Sequence, residues 1–379
     1  MMKSHPTYLD RLRDIEVAAL VENGTGLSLN FSAHRSRQGC EPIPLLVSDG
    51  TRGKASIFSP SAHYLDYPLL EMGRHSSLAT KLALATMGSP WRAVFRATDL
   101  DRVVYVNHWL LSRGMPLHLE HDELNTLIDE VRTNYPGRAL IFPGIVPSLS
   151  PRLSAQLLAL GGRAVQSRTV HLLDTSSSMN GLSNKGARQT RNLDRRLYEK
   201  RLPDRVTDRE ELLAHVGRMR ELYSQLYLTK YSLLNPQYTE KFFAILLKSN
   251  EFHVAGWFDD GGLEAFNIQL VENAVNHWSV CGYDVSAPRG RALFRLVAGE
   301  DIFGSGENVL VNWGGGNASF KKYRGAHQAL EYDIVFDDHL SARRRIPWRL
   351  LREVRGRRNG RMAAIDNAAL DNATLASPL

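Results

Sequence analysis

The chain has 379 residues, of which 43% are hydrophobic and 23% are charged, and its formal net charge is +7. That length suits one or two globular domains, and no apolar run approaches the roughly 18 residues of a membrane-spanning helix. The two cysteines, Cys40 and Cys281, are too few for a disulfide framework or a cysteine-ligated metal site. Because the histidines show no metal-binding spacing and the N-terminus has no signal-peptide core, we expect a cytoplasmic protein without a metal.

The positive charge is concentrated in two segments. Residues 341–361 contain nine arginines and one glutamate, a net charge of +8. Residues 185–205 contain eight lysines and arginines against three acidic residues, a net charge of +5. Each segment is either a solvated helix face or tail, or a surface for a phosphate-rich partner such as coenzyme A, a nucleotide-linked substrate or tRNA.

The first half of the chain alternates helices and strands, which predicts an α/β fold. Helices are predicted over residues 7–22, 76–87, 121–134 and 151–160. Strands are predicted over residues 27–31, 44–47, 55–58, 94–95, 103–106, 139–142 and 163–173. Residues 59–71 are predicted to form a loop, in which Tyr64 and Tyr67 line a pocket or pack at the edge of the core. A polar Ser/Gly stretch predicts a domain boundary near residues 174–182.

The second half begins with a predicted basic helix over residues 184–199, in which Lys185, Arg188 and Arg191 fall on one stripe. The order after it is helix, helix, three antiparallel strands, helix, strand, loop and strand. These helices are predicted over residues 207–231, opened by a capping box, 235–248 and 290–303. The strands are predicted over residues 252–258, 263–271, 276–283, 308–312 and 329–336. The arginine-rich segment is predicted to be a tail, with disorder after Arg361.

One segment of the second half carries the candidate chemistry. The strand predicted to end at Asn312 is followed by three glycines, a Phe-Lys pair and a closing glycine, which are Gly314, Gly315, Gly316, Phe320, Lys321 and Gly325. Glycines let backbone N–H groups approach a ligand, and a lysine beside them can stabilise a developing negative charge. The alternative is a tight loop with a solvated basic face. No GK[ST] follows the glycines, so the segment is not a Walker loop.

This segment, the order of elements and Gly282-Tyr283-Asp284 together resemble the GNAT-type acyltransferase superfamily. The resemblance is closest to the double-GNAT branch, which includes CelD-like acetyltransferases and Fem-type aminoacyl and peptidyl transferases. It covers roughly residues 183–340 and implies an α/β fold of tandem GNAT-like domains, with mixed, mostly antiparallel sheets flanked by helices. The implied domains are a degenerate N-terminal one (1–175), a C-terminal one (183–340) and a basic, partly disordered tail (341–379).

The resemblance also implies roles for individual residues. Lys321 is the candidate catalytic residue that stabilises negative charge. Asp284 is the candidate base or amine-orienting carboxylate, and its alternative role is to cap a turn. Asn312 stands where many relatives carry an aspartate. The implied substrate-binding residues are Lys185, Arg188, Arg191, Tyr64, Tyr67, Phe320 and Asn312.

A loose version of the family's pyrophosphate loop precedes the helix predicted at residue 290. Its members, Arg289, Gly290 and Ala292, are expected to bind acyl-CoA at a helix N-terminus together with Gly314, Gly315 and Gly316. In Fem-type enzymes this coenzyme A site is generally not used.

The expected function is therefore an N-acyltransferase that moves an acyl group from acyl-CoA, as co-substrate, to the amine of a small molecule or amino sugar. No tightly bound cofactor is expected. One alternative is a Fem-like transferase with aminoacyl-tRNA as donor, whose phosphates contact residues 185–205 and 341–361. Another is a non-catalytic, degenerate GNAT module that binds a nucleotide-linked sugar or a partner protein. Donor, acceptor and oligomeric state stay open at this point.

Overall fold

A computed structural model of the chain describes residues 6–35, 42–51, 53–74, 76–112, 115–175, 185–259, 262–304 and 309–357. The strands are β1 (Leu27–Arg35), β2 (Pro42–Ser48), β3 (Val103–Val106), β4 (Ala139–Ile145), β5 (Arg163–Asp174), β6 (Arg205–Val206), β7 (Phe252–Asp259), β8 (Gly262–Glu272), β9 (Val275–Tyr283), β10 (Leu310–Asn312) and β11 (His327–Phe336). The helices are α1 (Tyr8–Leu12), α2 (Tyr67–Gly73), α3 (Leu78–Ala97), α4 (His121–Asn134), α5 (Pro151–Ala159), α6 (Lys185–Lys200), α7 (Arg209–Leu213), α8 (Val216–Tyr223), α9 (Glu240–Lys248), α10 (Gly290–Gly299), α11 (Ala318–Lys322) and α12 (Ala342–Arg357).

The chain divides into two compact units. Unit N comprises Glu16–Ala18, Asn23–Arg168 and Ala329–Leu379, and unit C comprises Met1–Ile15, Ala19–Glu22 and Thr169–Gln328. The first residues of the chain thus group with unit C, and the last ones with unit N. The domain bounds 1–175, 183–340 and 341–379 remain predictions.

The sheet of unit N is mixed. The pairs β1·β2, β2·β3 and β4·β11 are antiparallel, whereas β3·β4 is parallel. Helix α4 connects the two parallel strands, as a crossover connection requires. It packs on the sheet through apolar residues at helical spacing, which are Leu124, Leu127, Ile128 and Val131.

The sheet of unit C repeats this arrangement. The pairs β7·β8, β8·β9 and β10·β5 are antiparallel, and β9·β10 is parallel. Helix α10 connects the parallel strands, and a short strand, β6, adds to β7. The core under α10 contains Trp257, Tyr283, Leu293, Leu296 and Val297. The predicted α/β class, with mixed sheets flanked by helices, is confirmed.

Several predicted elements of unit N are wrong. The strand predicted at 94–95 lies within α3, which continues through Pro90 to Ala97. Ser56–Phe58 form a turn of 3₁₀ helix instead of a strand. The predicted loop 59–71 is helical, as a π-helical turn at Ala62–Asp66 followed by α2. The arginine-rich tail contains α12, which buries Trp348 and Leu351.

In unit C the helix boundaries differ from those predicted. The helix expected over 7–22 ends at Leu12, and Asp14 beyond it has a φ of 63°. The helix expected over 207–231 is divided into α7, α8 and a π-helical turn, and Asp208 caps it instead of Thr207. Helix α9 begins at Glu240 with Thr239 as its cap, not at Asn235-Pro236. Residues 260–261 of the predicted hairpin turn and those after 357 lie outside the described residues.

Helix α8 crosses β9 at Gly282, where a side chain has no room. A Cβ atom there would lie 2.4 Å from a Phe266 ring carbon and 2.8 Å from the backbone nitrogen of Tyr223. We expect Gly282→Ala to lower the free energy of unfolding by about 1–3 kcal/mol, measured by urea unfolding. As a control, Gly217→Ala on α8 adds a Cβ whose nearest neighbour lies at 3.6 Å, so it should be neutral or stabilising by up to about 1 kcal/mol. Equal stability of the two variants would contradict this packing.

Candidate functional site

The parallel strands of unit C separate at the point where the glycine segment begins. Strand β10 pairs with β9 at two described positions, Leu310 with Val275 and Val311 with Asn276. Strand β9 stays paired with β8 as far as Tyr283, whereas β10 ends at Asn312. The second half of β9 and the residues after β10 therefore diverge. Such a separation at the carboxyl ends of parallel strands is a common place for a ligand.

Lys321 holds the glycine loop (residues 313–317) from inside. Its side chain is buried, and Nζ donates to the carbonyl oxygens of Trp313 at 2.9 Å, Gly314 at 3.0 Å and Gly315. An ammonium group has three N–H donors, so these carbonyls use all of them. In this structure Lys321 acts on the loop, and its catalytic role remains a prediction.

The orientation of these carbonyls fixes that of the neighbouring amides. In a trans peptide the C=O of one residue and the N–H of the next point in opposite directions, and the described residues contain no cis peptide. With the carbonyls of Gly314 and Gly315 on Lys321, the N–H groups of Gly315 and Gly316 point away from it. Gly316 has a φ of 72°, and a Cβ there would meet no atom within 4 Å. Two amides thus face open space, an arrangement that binds anions.

Asn312 and Phe320 support the loop from either side. The buried Asn312 accepts a hydrogen bond from the backbone N–H of Gly314 at 2.9 Å through Oδ1. The ring of Phe320 packs 4.3 Å from that of Phe294 and 6.2 Å from that of Trp313, measured between centroids. The Arg324 guanidinium lies 3.5 Å from the Phe320 centroid. Both predicted substrate-binding residues of this segment therefore contact the loop or its aromatic neighbours.

A buried carboxyl group, Asp301, anchors the first residue of the loop. Asp301 accepts hydrogen bonds from Trp313 Nε1 at 2.9 Å and from Asn267 Nδ2 at 3.1 Å. Burial raises its pKa to about 6, against the lowering effect of these two hydrogen bonds. The sequence analysis missed Asp301. The signal that could have found it is an acidic pair, Glu300-Asp301, within the apolar pattern of the predicted helix 290–303.

The raised pKa of Asp301 predicts a pH dependence of stability. Because the folded state binds this proton more tightly, the contribution is complete below the unfolded pKa of 3.8 and is lost as the pH rises through about 6. We expect Asp301→Asn to remove about 2 to 3 kcal/mol of the decline in unfolding free energy between pH 4 and 7.5. Glu210→Gln, an exposed control in the same unit, should leave the decline unchanged. An identical decline in Asp301→Asn and the wild type would contradict the assignment.

Asp284 caps the turn that follows β9. Its Oδ1 accepts from the backbone N–H groups of Ser286 at 2.9 Å and Ala287 at 3.1 Å and from the Ser286 hydroxyl. Its Oδ2 accepts from Arg218 Nη2 at 2.9 Å. The hydrogen bond from the Ser286 side chain, followed by those from the turn and Arg218, lowers the pKa of Asp284. The carboxylate is therefore ionised and engaged in the turn, which is the capping alternative; its role as a base remains a prediction.

The predicted pyrophosphate loop makes its hydrogen bonds internally. The Arg289 guanidinium pairs with Glu264, with Nε to Oε1 at 2.9 Å, and with Asp259. The backbone N–H of Gly290 donates to Ala287 O at 2.8 Å, and that of Ala292 donates to Arg289 O at 2.7 Å. The cation and amides expected to meet a pyrophosphate are thus engaged with protein groups in this structure.

The basic stripe of α6 is divided between two faces. Lys185 is exposed and Arg188 is half-buried, but Arg191 is buried and donates from Nη2 to Asp174 O at 3.2 Å. Asp194 and Tyr198 are buried on the inner face with Arg191. The exposed cations of α6 are Lys185, Arg195, Arg196 and Lys200.

The arginines of α12 bind mostly within unit N. Arg355 donates to the carbonyl oxygens of Ser167 at 2.8 Å, Tyr64 at 3.1 Å and Gln166 at 3.2 Å. The other arginines with partners in unit N are Arg343 (Ala97 O), Arg344 (Gly137 O, Asp99 O) and Arg352 (Asp337). Arg345 and Arg349 are exposed. Among the described residues of this segment, these two remain for an external polyanion.

The two tyrosines predicted to line a pocket belong to unit N. Tyr64 is buried, and its hydroxyl donates to Asp333 Oδ2 at 2.6 Å. Asp333 also accepts the backbone N–H of Gly144 at 3.0 Å, at an irregularity in the β4·β11 register. Tyr67 is half-buried at the start of α2. The other predicted site residues lie in unit C, which brings together Lys321, Phe320, Asn312 and the three glycines.

Two further features were searched for in the described ranges. No helix there is long and apolar enough to cross a membrane. No group of three or more His, Cys, Asp or Glu side chains in these ranges could hold a metal ion.

No family model and no curated protein matches the sequence. Among solved structures, "L-PGS from Bacillus licheniformis" is similar with 12% identity and a TM-score of 0.46, over 93% of this chain and 99% of that one. The C-terminal domain (DUF2156) of a lysylphosphatidylglycerol synthetase from Agrobacterium fabrum has 13% identity and a TM-score of 0.42, over 66% and 81%. A conserved protein of unknown function from Bacteroides thetaiotaomicron has 13% identity and a TM-score of 0.40, over 62% and 79%. At these values the matches assign neither a family nor an activity.

Proposed function

We propose that the chain is an acyltransferase whose glycine loop stabilises the oxyanion of acyl transfer. The observation that supports this most is the contact of Lys321 Nζ with the carbonyls of Trp313, Gly314 and Gly315. By fixing these carbonyls, Lys321 fixes the N–H groups of Gly315 and Gly316 outwards. Preorganised backbone donors of this kind stabilise a tetrahedral intermediate because they need no reorientation when the charge develops. Lys321 is then a positioning residue that acts through the loop.

The aromatic residues beside the loop suit a substrate with an apolar part. Trp313, Phe320, Phe294 and Tyr283 form a row of ring contacts from the loop to the end of β9. Their faces and edges would pack against the acyl side chain or the acceptor. The acceptor is an amine of a small molecule, which attacks the acyl carbonyl carbon while its oxygen is held by the two amides.

For the donor we propose an aminoacyl ester of tRNA in preference to acyl-CoA. A pyrophosphate would have to displace the Arg289 pairs with Glu264 and Asp259 and the internal hydrogen bonds of Gly290 and Ala292. The exposed cations of α6, in contrast, can neutralise phosphates along an RNA backbone at no such cost. The engaged pyrophosphate loop therefore favours the donor that does not need it.

We further propose that the two units are tandem GNAT-like domains. Each contains two antiparallel pairs, a parallel pair joined by a helix and a further antiparallel pair, in the same order. Only unit C has a triple-glycine loop after its parallel strands. Its loop is therefore the proposed reaction centre, and unit N is the degenerate partner.

A binding titration separates the two donors. We would titrate the full chain with charged tRNA, with deacylated tRNA and with acetyl-CoA at two salt concentrations. The proposal predicts salt-sensitive binding of charged tRNA, weakened by Lys185→Gln and Arg196→Gln on α6 and little changed by Arg345→Gln and Arg349→Gln on α12. Tight, salt-insensitive binding of acetyl-CoA alone would support the acyl-CoA alternative. Binding without turnover of either donor would support a non-catalytic module.

A further inference from the structure

His171 lies directly beneath the glycine loop. It is a residue of β5, and its backbone N–H donates to Gly314 O at 3.1 Å while its own carbonyl accepts from Trp313 N at 2.9 Å. These bonds continue the β5·β10 ladder past the end of β10. The imidazole is 3% exposed, so the protein covers it almost completely.

The hydrogen bond made by the ring determines which nitrogen carries the proton. His171 Nδ1 lies 3.3 Å from Gly314 O, the same carbonyl that Lys321 binds. A carbonyl oxygen only accepts hydrogen bonds, so Nδ1 is assigned as the donor and Nε2 of the neutral ring as an acceptor. Burial lowers the pKa of His171, and the nearby ammonium groups of Lys321 and Lys322 lower it further. The ring is therefore neutral at neutral pH.

The Nε2 atom distinguishes His171 from a structural histidine. It is buried, and no described residue lies within hydrogen-bonding distance of it. His108, which is also buried, is the structural case: its Nε2 contacts Ile57 O at 3.2 Å and its Nδ1 accepts from Leu110 N at 3.1 Å. A buried acceptor without a partner costs about 1–3 kcal/mol. A cost of this size at the proposed reaction centre points to a use for the lone pair.

We propose that His171 Nε2 is the general base of the acyl transfer, an inference that rests on the proposed function. Nε2 takes a proton from the acceptor amine, directly or through one water, as the nitrogen bonds to the carbonyl carbon of the donor ester. The carbonyl electrons move to the oxygen held by the Gly315 and Gly316 amides. When the intermediate collapses, the bond to the ester oxygen breaks and that oxygen receives the proton from Nε2. Protons and electrons balance, and His171 returns to its neutral form.

The glycine loop connects the base to the oxyanion donors. Gly314 O receives Lys321 Nζ and His171 Nδ1, and the peptide that carries this carbonyl also carries the outward N–H of Gly315. One carbonyl therefore orients both the base and a donor. This link predicts that the tautomer of His171 depends on the loop.

The test combines kinetics with nitrogen-15 NMR of the histidine rings. For the wild type we expect kcat/KM for aminoacyl transfer to rise with pH through a pKa below 6.5 and then level off. His171→Gln should lower kcat by about 10²-fold or more and lose this inflection, because glutamine can donate to Gly314 O but has no basic nitrogen. His253→Gln, at an exposed position of β7 in the same unit, should match the wild type.

NMR on the resting protein tests the base without substrate. The neutral ring should carry its proton on Nδ1 and should lose that tautomer in Lys321→Met. A proton on Nε2 in the wild type would overturn the proposal, as would a His171→Gln variant that keeps the pH inflection and most of its kcat. Absence of transfer by the wild type at every pH would instead contradict the proposed function, and the general base with it.

Discussion

Replacing Lys321 with methionine should lower kcat for acyl transfer by about 10²-fold or more, with little change in KM. Methionine has a similar length but no donors, so the carbonyls of Trp313, Gly314 and Gly315 would lose their common partner. The loop could then rotate these peptides, and the N–H groups of Gly315 and Gly316 would no longer be held outwards. Because those amides act on the charge of the intermediate, the loss falls on kcat. Single-turnover transfer at saturating donor measures it.

Two further variants make this result specific. Lys322→Met removes an exposed ammonium from the neighbouring position and should leave kcat within about twofold of the wild type. Lys321→Arg keeps the charge but spreads its donors over a planar group, so it should recover little activity. Full activity in Lys321→Met, or full recovery in Lys321→Arg, would show that the loop does not depend on this clamp.

The largest effect on stability is expected for Asp194 on α6. Its carboxylate is 1% exposed and pairs with Arg295 Nε at 2.6 Å and with Arg324 Nε at 2.7 Å. Arg324 is itself buried and lies over Phe320. Asp194→Asn keeps the shape of the side chain but leaves two guanidinium groups without a counter-charge. Breaking a buried pair in this way costs about 3–5 kcal/mol, which urea unfolding can measure.

An exposed pair in the same unit provides the control for Asp194. Glu221 is 65% exposed and lies 3.1 Å from Arg218. Because solvent screens such a pair, Glu221→Gln should change the unfolding free energy by less than about 1 kcal/mol. If Asp194→Asn were as mild as Glu221→Gln, the buried charges would have to be compensated by other groups. The role assigned to Asp194 in holding Arg324 against Phe320 would then be wrong.

The sequence predicted best those elements in which local pattern and tertiary contacts agree. Helix α4 has the predicted bounds because its apolar positions and polar first turn both indicate a helix. The strands β7, β8 and β9 were found because each is a continuous β-prone run with turn residues between them. Where local signals conflict with packing, prediction failed. Helix α3 passes through Pro90, which ordinarily ends a helix, and no local signal indicates that it continues.

The candidate site was predictable as far as its residues are close in sequence. Lys321 reaches the three glycines within eight positions, so the segment contains the information for their contact. His171 and Asp301 come to the loop from distant strands and turns, and nothing local to them indicates that contact. Arg289 is the opposite case, because its partners Asp259 and Glu264 are set by the sheet and not by its own loop. Periodicity places side chains on a face but does not identify their partners.

The two basic segments show the same limit. By charge alone, residues 185–205 and 341–361 were equivalent candidates for an RNA surface. In the structure, α6 keeps an exposed set of cations, whereas most described arginines of α12 bind carbonyls and carboxylates of unit N. Deleting α12 would also remove the buried Trp348 and Leu351. Point substitutions of exposed arginines are therefore the appropriate test of RNA binding.

The most direct measurement is the single-turnover loss of labelled amino acid from charged tRNA to an amine acceptor, compared between the wild type and Lys321→Met. A parallel reaction with acetyl-CoA follows the release of thiol. The proposed function predicts rapid transfer from tRNA by the wild type, at least about 10²-fold slower transfer by the variant, and no thiol release. Thiol release from acetyl-CoA without transfer from tRNA would contradict the proposed donor, and equal rates for the two proteins would contradict the proposed role of the loop.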